Sequence, residues 1–262
     1  MEKYNSYQDK TDTLFKSWKA QSIKDGFSDF CEDGLMYRGE ITNFVAQDGN
    51  TYWFRKNGNE ETLWANAPKR VMFLNKDVPY NPNQDIREWI LRQNETDITA
   101  LHYKNIAIWL YGLLNIDANG RSPIFEDIDD TKIYSPFIDK TPIALVNCKK
   151  ESGESSISNE TLSEHIERYK NFLRDQIQIL DPDIIVCGGG SGMIKDFVKA
   201  NVYSGLMEVN SWMYFDESKN KLVIDSFHPS YYGLSRKEIY NRMMTHYQLF
   251  LTDYPSFIKS CR

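Results

Sequence analysis

Val71-Met72-Phe73-Leu74-Asn75-Lys76-Asp77-Val78-Pro79-Tyr80-Asn81-Pro82-Asn83-Gln84 is the stretch on which the fold turns. Its first four residues are apolar, with Pro68-Lys69-Arg70 before them and polar, proline-rich sequence after. That pattern predicts a short strand buried on both faces, as in a parallel sheet covered by helices. The chain leaves the strand through a loop that carries a carboxylate, Asp77. Open α/β sheets set their chemistry in the crevice beyond the carboxyl ends of the strands, so Asp77 is a candidate site residue. A loop aspartate that only caps a turn would look the same, and the weight comes from two further strand ends.

Working outward, Ile143-Ala144-Leu145-Val146 reads as a second buried strand, running into Asn147-Cys148-Lys149-Lys150. From Ser158 a helix is predicted, with Leu162, Ile166, Tyr169, Phe172, Leu173, Ile177 and Leu180 on one stripe. Asp181-Pro182-Asp183 breaks it, and Ile184-Ile185-Val186-Cys187 is a third buried strand. A strand-helix-strand order with so long a crossover predicts two parallel neighbours joined right-handedly. Gly188-Gly189-Gly190-Ser191-Gly192 then turns the chain into a helix from about Met193 to Asn201. Leu206–Val209, Trp212–Phe215 and Leu222–Ile224 read as strands, the last leading to Ser226-Phe227-His228-Pro229-Ser230-Tyr231-Tyr232-Gly233. Ser235 and Glu238 have capping-box spacing for a terminal helix.

Toward the N-terminus, Thr11 to Lys24 has helical spacing with Gly26 as a stop. Residues 27–66 are short runs punctuated by glycine, with Thr51-Tyr52-Trp53-Phe54 the clearest strand and Asn57-Gly58 a hairpin signal. Asp85 and Glu88 predict a helix start near Asp85, and an apolar helix follows from about His102 to Asn115. Residues 117–140 read as turn-rich, and the acidic run Glu126-Asp127-Ile128-Asp129-Asp130 as a solvated face. Together these elements predict an α/β fold, three-layer α/β/α with a small, mostly parallel, four-stranded central sheet. No Pro/Gly/Ser-rich linker divides it, so residues 1–262 are expected as one domain with 1–66 as an N-terminal helical and β-hairpin extension.

With 41% hydrophobic and 14% aromatic residues the chain has material for a packed core. A formal charge of −6 and a pI near 5.4 argue against broad, non-specific nucleic-acid binding, so any such contact needs a local basic face. Lys149-Lys150, Lys195, Lys199 and Arg236-Lys237 are candidates for it, with ordinary solvated charges as the alternative. The start lacks the apolar core of a signal peptide, and there is no run long enough to span a membrane. A cytoplasmic monomer with no membrane partner is expected. Cys31, Cys148, Cys187 and Cys261 form no C-x-x-C pair, so neither a disulfide framework nor a metal site is expected, and no cofactor.

Three strand ends therefore offer Asp77, Asn147 and His228. An acid can orient water or stabilise a cation, an amide can read a donor/acceptor pattern, and an imidazole can stabilise an oxyanion. Together they suit cleavage of a bond whose leaving group is a planar heterocycle. His102, His165 and His246 sit in helical patterns and read as surface or core residues.

In this order the motifs resemble those of the uracil-DNA glycosylase superfamily. The strand running into Asp77 and Pro79-Tyr80 is similar to its first motif, Ile143–Asn147 to the strand ending in its base-reading asparagine, Asp181 to Gly189 to the segment that follows, and His228-Pro229-Ser230 to its closing motif. The resemblance covers Val71 to about Tyr247. It implies that Asp77 positions water or stabilises the sugar cation and that His228 stabilises the departing base. Asn147 would pair with the edge of an extruded base, Tyr80 or else Trp89 would stack on it, and Ser230, Ser191 and Gly189 would hold backbone phosphates. Tyr232 or Leu234 would be the wedge into the duplex. The partner would be single-stranded or damaged duplex DNA, or a nucleobase-containing ligand. Val78 is inserted between the acid and Pro79, which puts the position of Asp77 in question. The iron–sulfur branch needs four cysteines. Here Tyr169 stands at one of those places and Cys148 is out of register, so no cluster is expected. Two other readings stay open: a protein on the same fold that holds a nucleobase, nucleotide or nucleic-acid end without cleaving it, and a nucleotide-binding domain using Gly188–Gly192 for phosphate.

Overall fold

A computed structural model describes residues 6–45, 47, 49, 51–79, 83–89, 98, 100–153 and 156–259. In chain order its elements are α1 (Tyr7–Lys24), β1 (Gly34–Leu35), β2 (Ile41–Val45), β3 (Thr51–Arg55), α2 (Glu60–Ala65), β4 (Val71–Asn75) and β5 (Val78–Pro79). Then follow α3 (Leu101–Leu114), α4 (Phe125–Ile128), α5 (Thr131–Lys140), β6 (Ile143–Asn147), β7 (Ser152–Gly153), α6 (Asn159–Leu180), β8 (Ile184–Gly188) and α7 (Met193–Asn201). The chain ends with β9 (Met207–Glu208), β10 (Met213–Asp216), β11 (Lys221–Ser226), α8 (Arg236–Asp253) and α9 (Ser256–Lys259).

The three apolar runs become the three central strands because a strand covered on both faces has no polar side to show. Alternation sorts their side chains. Val71, Phe73, Ile143, Leu145, Ile184, Val186, Leu222 and Ile224 face one core with α3, α5 and α8. Met72, Leu74, Ala144, Val146, Ile185, Cys187 and Val223 face a second core with α1, α6 and α7. The fold is mixed α/β, with helices on both faces of a central, mostly parallel sheet.

That sheet has seven strands in the order β1-β6-β4-β8-β11-β10-β9, not four. The expected four are its parallel middle, β6-β4-β8-β11, and antiparallel β1 on one side and β10-β9 on the other widen it. Strands β1 and β9 have two residues each, too short for a period to register in sequence. β6 and β8 run parallel through α6 but are not neighbours, because β4 lies between them.

Other expectations shift in detail. The hairpin is β2–β3, turning between Val45 and Thr51, while Asn57-Gly58 leads into α2. Gly58 N–H donates to Glu60 instead of closing a hairpin (2.8 Å). Residues 117–140 hold two helices, and Asp130 of the acidic run caps α5 by accepting from the Lys132 N–H (2.9 Å). Asp85 does cap a helical segment, but Ile86–Glu88 is one 3₁₀ turn that ends in extended backbone at Trp89. The capping box of Ser235 and Glu238 is formed at α8. Residues 6–66 contribute to the core as well as the edge: Trp18 of α1 is fully buried and stacks on Phe172 of α6, and β1 pairs with β6.

Candidate functional site

The four parallel strands end level. Asn147 lies opposite Asn75, Asn75 opposite Gly188, and Gly188 opposite Ser226. The loops leaving β4 and β11 therefore start at the same level on either side of β8, and Asp77 and His228 each lie two residues beyond a strand end. A cavity of about 440 Å³ opens there, lined by Asn75, Lys76, Asp77, Trp89, His102, Tyr103, Asn147, His228, Ser230, Tyr231 and Tyr232, among others. Asp77, Asn147 and His228 thus share one cavity although they come from three separate strands.

Each is held by local structure. The inserted Val78 belongs with Pro79 to β5, which pairs in parallel with β7, so the chain just after Asp77 is tied to the loop after β6. Burial pushes the Asp77 carboxyl above its ordinary range, with Lys149 and Lys76 pulling the other way. Raised basicity suits a group that takes a proton from water. Asn147 is nearly buried; its backbone N–H and its Nδ2 both donate to Oδ2 of Asp33, at 2.8 and 3.2 Å. The His228 loop is pinned from α3, where buried Asn105 donates to the Pro229 carbonyl (2.6 Å) and accepts from Arg236 Nε (3.2 Å).

The Ser230 backbone N–H donates to His228 Nδ1 at 3.2 Å, which makes Nδ1 an acceptor and leaves the proton of the neutral ring on Nε2. Burial and the neighbouring charge of Lys76 lower the His228 pKa to about 4. The ring is therefore neutral near pH 7 and can donate from Nε2. His102, expected as a surface or core residue, sits on the same wall, its ring centroid 5.3 Å from that of His228. Its pKa is lowered to about 3 by burial and then by His228, and its Nδ1 lies 3.3 Å from Ser230 Oγ.

Lys76 is the second residue that motif reading passed over. Among the described residues its ammonium has no hydrogen-bond or ion-pair partner, and it lines the cavity beside Asp77 and His228. Gly189 makes this approach possible: at φ +85°, a Cβ there would stand 3.0 Å from Lys76 Cε and 3.1 Å from His228 Cβ. An unpaired cation in a pocket favours a ligand that carries or develops negative charge.

The remaining candidates divide. Ser230 lines the cavity, whereas Ser191 is exposed outside it, bonded to Asn159 at 3.4 Å. The Gly189 amide donates to the carbonyls of Ser226 (3.0 Å) and Cys187 (3.2 Å), so it is spent inside the fold and is not offered to phosphate. Tyr80 lies outside the described residues; Trp89, Tyr103, Tyr231 and Tyr232 are aromatics that line the cavity. Tyr232 is 93% exposed at the mouth, on a stack with Tyr231 and Phe227, while Leu234 packs on the core. Of the basic-rim candidates, Lys150 is fully buried, Lys149 donates to the Glu151 and Ser152 carbonyls, and Lys195, Arg236 and Lys237 pair with Asp196, Asp129 and Glu126, while Lys199 is exposed. Among the described residues no helix is long and apolar enough to cross a membrane. No family model matches the chain, and no curated protein matches it.

Proposed function

We propose that the protein is a DNA glycosylase-like hydrolase of the uracil-DNA glycosylase type, which takes a base flipped out of single-stranded or damaged duplex DNA, uracil first, and hydrolyses its N-glycosidic bond. The observation that carries this is the convergence of Asp77, Asn147 and His228 on one cavity of a size to enclose a flat heterocycle. The C1′–N bond breaks with its electron pair going to the base, and a water oxygen bonds to C1′ as Asp77 takes the water's proton. Asn147 pairs with the base edge, His228 donates from Nε2 to the base oxygen that gains charge, and Lys76 adds positive potential. A neutral imidazole can fill this role because its Nε2–H donates while Nδ1 accepts from the Ser230 N–H. Release of free uracil from single-stranded and mismatched oligonucleotides tests the reading. Asp77→Asn and His228→Ala are each expected to slow single-turnover release about 10²-fold or more; no release, or release that neither change affects, refutes it.

A second reading, a protein that holds a nucleobase or nucleotide without cleaving it, is favoured by the pairing of Lys195, Arg236 and Lys237 with carboxylates, which weakens their hold on a phosphate backbone. Tight binding of a uracil-containing strand with no turnover identifies that case, and burst product excludes it.

A further inference from the structure

Beneath the cavity lies a polar cluster that catalysis as described above does not use. Asp33, Lys150 and Gln176, the last on α6, are at most 1% exposed. Oδ1 of Asp33 accepts from Lys150 Nζ (2.5 Å) and Gln176 Nε2 (2.9 Å), and Oδ2 accepts from the backbone and side-chain nitrogens of Asn147. The Lys150 ammonium also lies 5.0 Å over the Trp18 ring and 5.7 Å from that of Phe15. Burying two charges is expensive, and an apolar pair of similar volume would serve stability as well or better. What an apolar pair cannot do is hold a third group in one orientation.

We propose that Asp33 is a positioning residue that holds one Nδ2 proton of Asn147 and so fixes the amide, leaving Oδ1 and the second Nδ2 proton as an acceptor and a donor in one set order, so that the pocket selects rings with an N–H beside a carbonyl over rings with an amino group beside a bare nitrogen. An amide that could turn over would offer its donor and acceptor in either order and would accept cytosine as readily as uracil. With Nδ2 held by a carboxylate, turning over sets Oδ1 against Oδ2, two acceptors with no proton between them. Three anchors keep the carboxylate itself still: Lys150, Gln176 and the Asn147 backbone. Residues 6–66 thereby acquire a part in recognition, because α1 seats Lys150 and the segment before β1 supplies Asp33. The selectivity rests on the nucleobase reading given above, whereas the fixing of the amide does not.

Two double variants separate positioning from bulk structure. Asp33→Leu with Lys150→Met removes the acceptor and both charges together; Asp33→Asn with Lys150→Met removes the charges but keeps an acceptor oxygen. The first readout is hydrogen exchange of the Asn147 side-chain amide by NMR, its signal identified by its loss in Asn147→Asp. The second is the ratio of uracil to cytosine binding, measured with the free bases. Exchange at least tenfold faster in the Leu/Met protein than in wild type, with rescue in the Asn/Met protein and a uracil preference that falls at least tenfold only in the former, is the expected result. Unchanged exchange and preference in a folded Leu/Met protein overturn the proposal. If that protein does not fold, wild-type Asn147 amide protons that exchange as fast as those of exposed asparagines overturn it equally. An Asp33-dependent slowing of exchange in a protein that binds no base would support the fixed amide and count against the nucleobase reading alone.

Discussion

Lowering the pH from 7 to 4 probes the environment of His228 directly. Burial and Lys76 bring its pKa from the ordinary 6.5 to about 4. Between those two values the unfolded chain carries a proton on this ring that the folded chain does not. Stability present above pH 6.5 is therefore lost progressively as the pH falls, and the loss is complete once the folded ring also protonates. At 1.36 kcal/mol per pKa unit the shift corresponds to about 3 kcal/mol, and because the ring is half-buried, solvent screening leaves about 2 kcal/mol. His102 adds to the same slope, since burial and His228 hold its pKa at about 3. Urea unfolding of wild type and His228→Gln, followed by tryptophan fluorescence across this range, is expected to show wild type losing about 2 kcal/mol more than the variant. The Cε1–H resonance of His228 should titrate near pH 4, and activity should have no histidine limb between pH 5 and 8. A titration midpoint of 6 or above, or parallel stability curves for the two proteins, refutes the buried, neutral imidazole.

Trp18→Ala is expected to cost about 3–5 kcal/mol in urea unfolding, because the indole is fully buried and stacks on Phe172 at 5.5 Å. Gly189→Ala places a methyl group against Lys76 and His228 at a left-handed backbone position; a loss of about 1–3 kcal/mol of stability is expected, together with weaker uracil binding in a titration. Arg87 is 3% exposed and its guanidinium reaches Asp12 (2.7 Å), Glu32 (2.8 Å) and Asp85 (2.8 Å). Arg87→Met leaves those carboxylates facing one another and is expected to cost about 3–5 kcal/mol at pH 7, and less at pH 4, because burial raises the Glu32 carboxyl toward its neutral form; the comparison of unfolding free energies at the two pH values checks it.

The middle of the sheet was legible in the sequence because Val71–Leu74, Ile143–Val146 and Ile184–Cys187 have no polar face, a pattern that only a doubly covered strand requires. The neighbour order was not, since similar apolar runs pair equally well in several orders, and nothing local to the runs places β4 between β6 and β8. Asp77, Asn147, His228 and Ser230 could be found because each lies at or just beyond a strand end. His102 could not: helical spacing told which face it lies on, not that the face closes a cavity at the first turn of α3. Lys76 was hidden beside the more conspicuous Asp77. Asp33 carries no motif at all, and its tie to Asn147 spans 114 positions, a separation at which no local pattern survives. The glycines at 188–190 read equally as a phosphate loop or a tight turn, and the bonds made by the Gly189 amide decide for the turn at that residue.

The sheet order has a consequence for biosynthesis. β4 is the first of the four parallel strands to leave the ribosome, yet it is flanked on both sides by strands translated later. At roughly 5–20 residues per second, Val71–Leu74 spends several seconds with both backbone edges bare before Ile143–Val146 emerges, and longer before Ile184–Cys187 does. A nascent chain paused in that interval exposes a four-residue adhesive segment, so recombinant yield should depend more on elongation rate and on holdase chaperones than on the stability of the finished molecule.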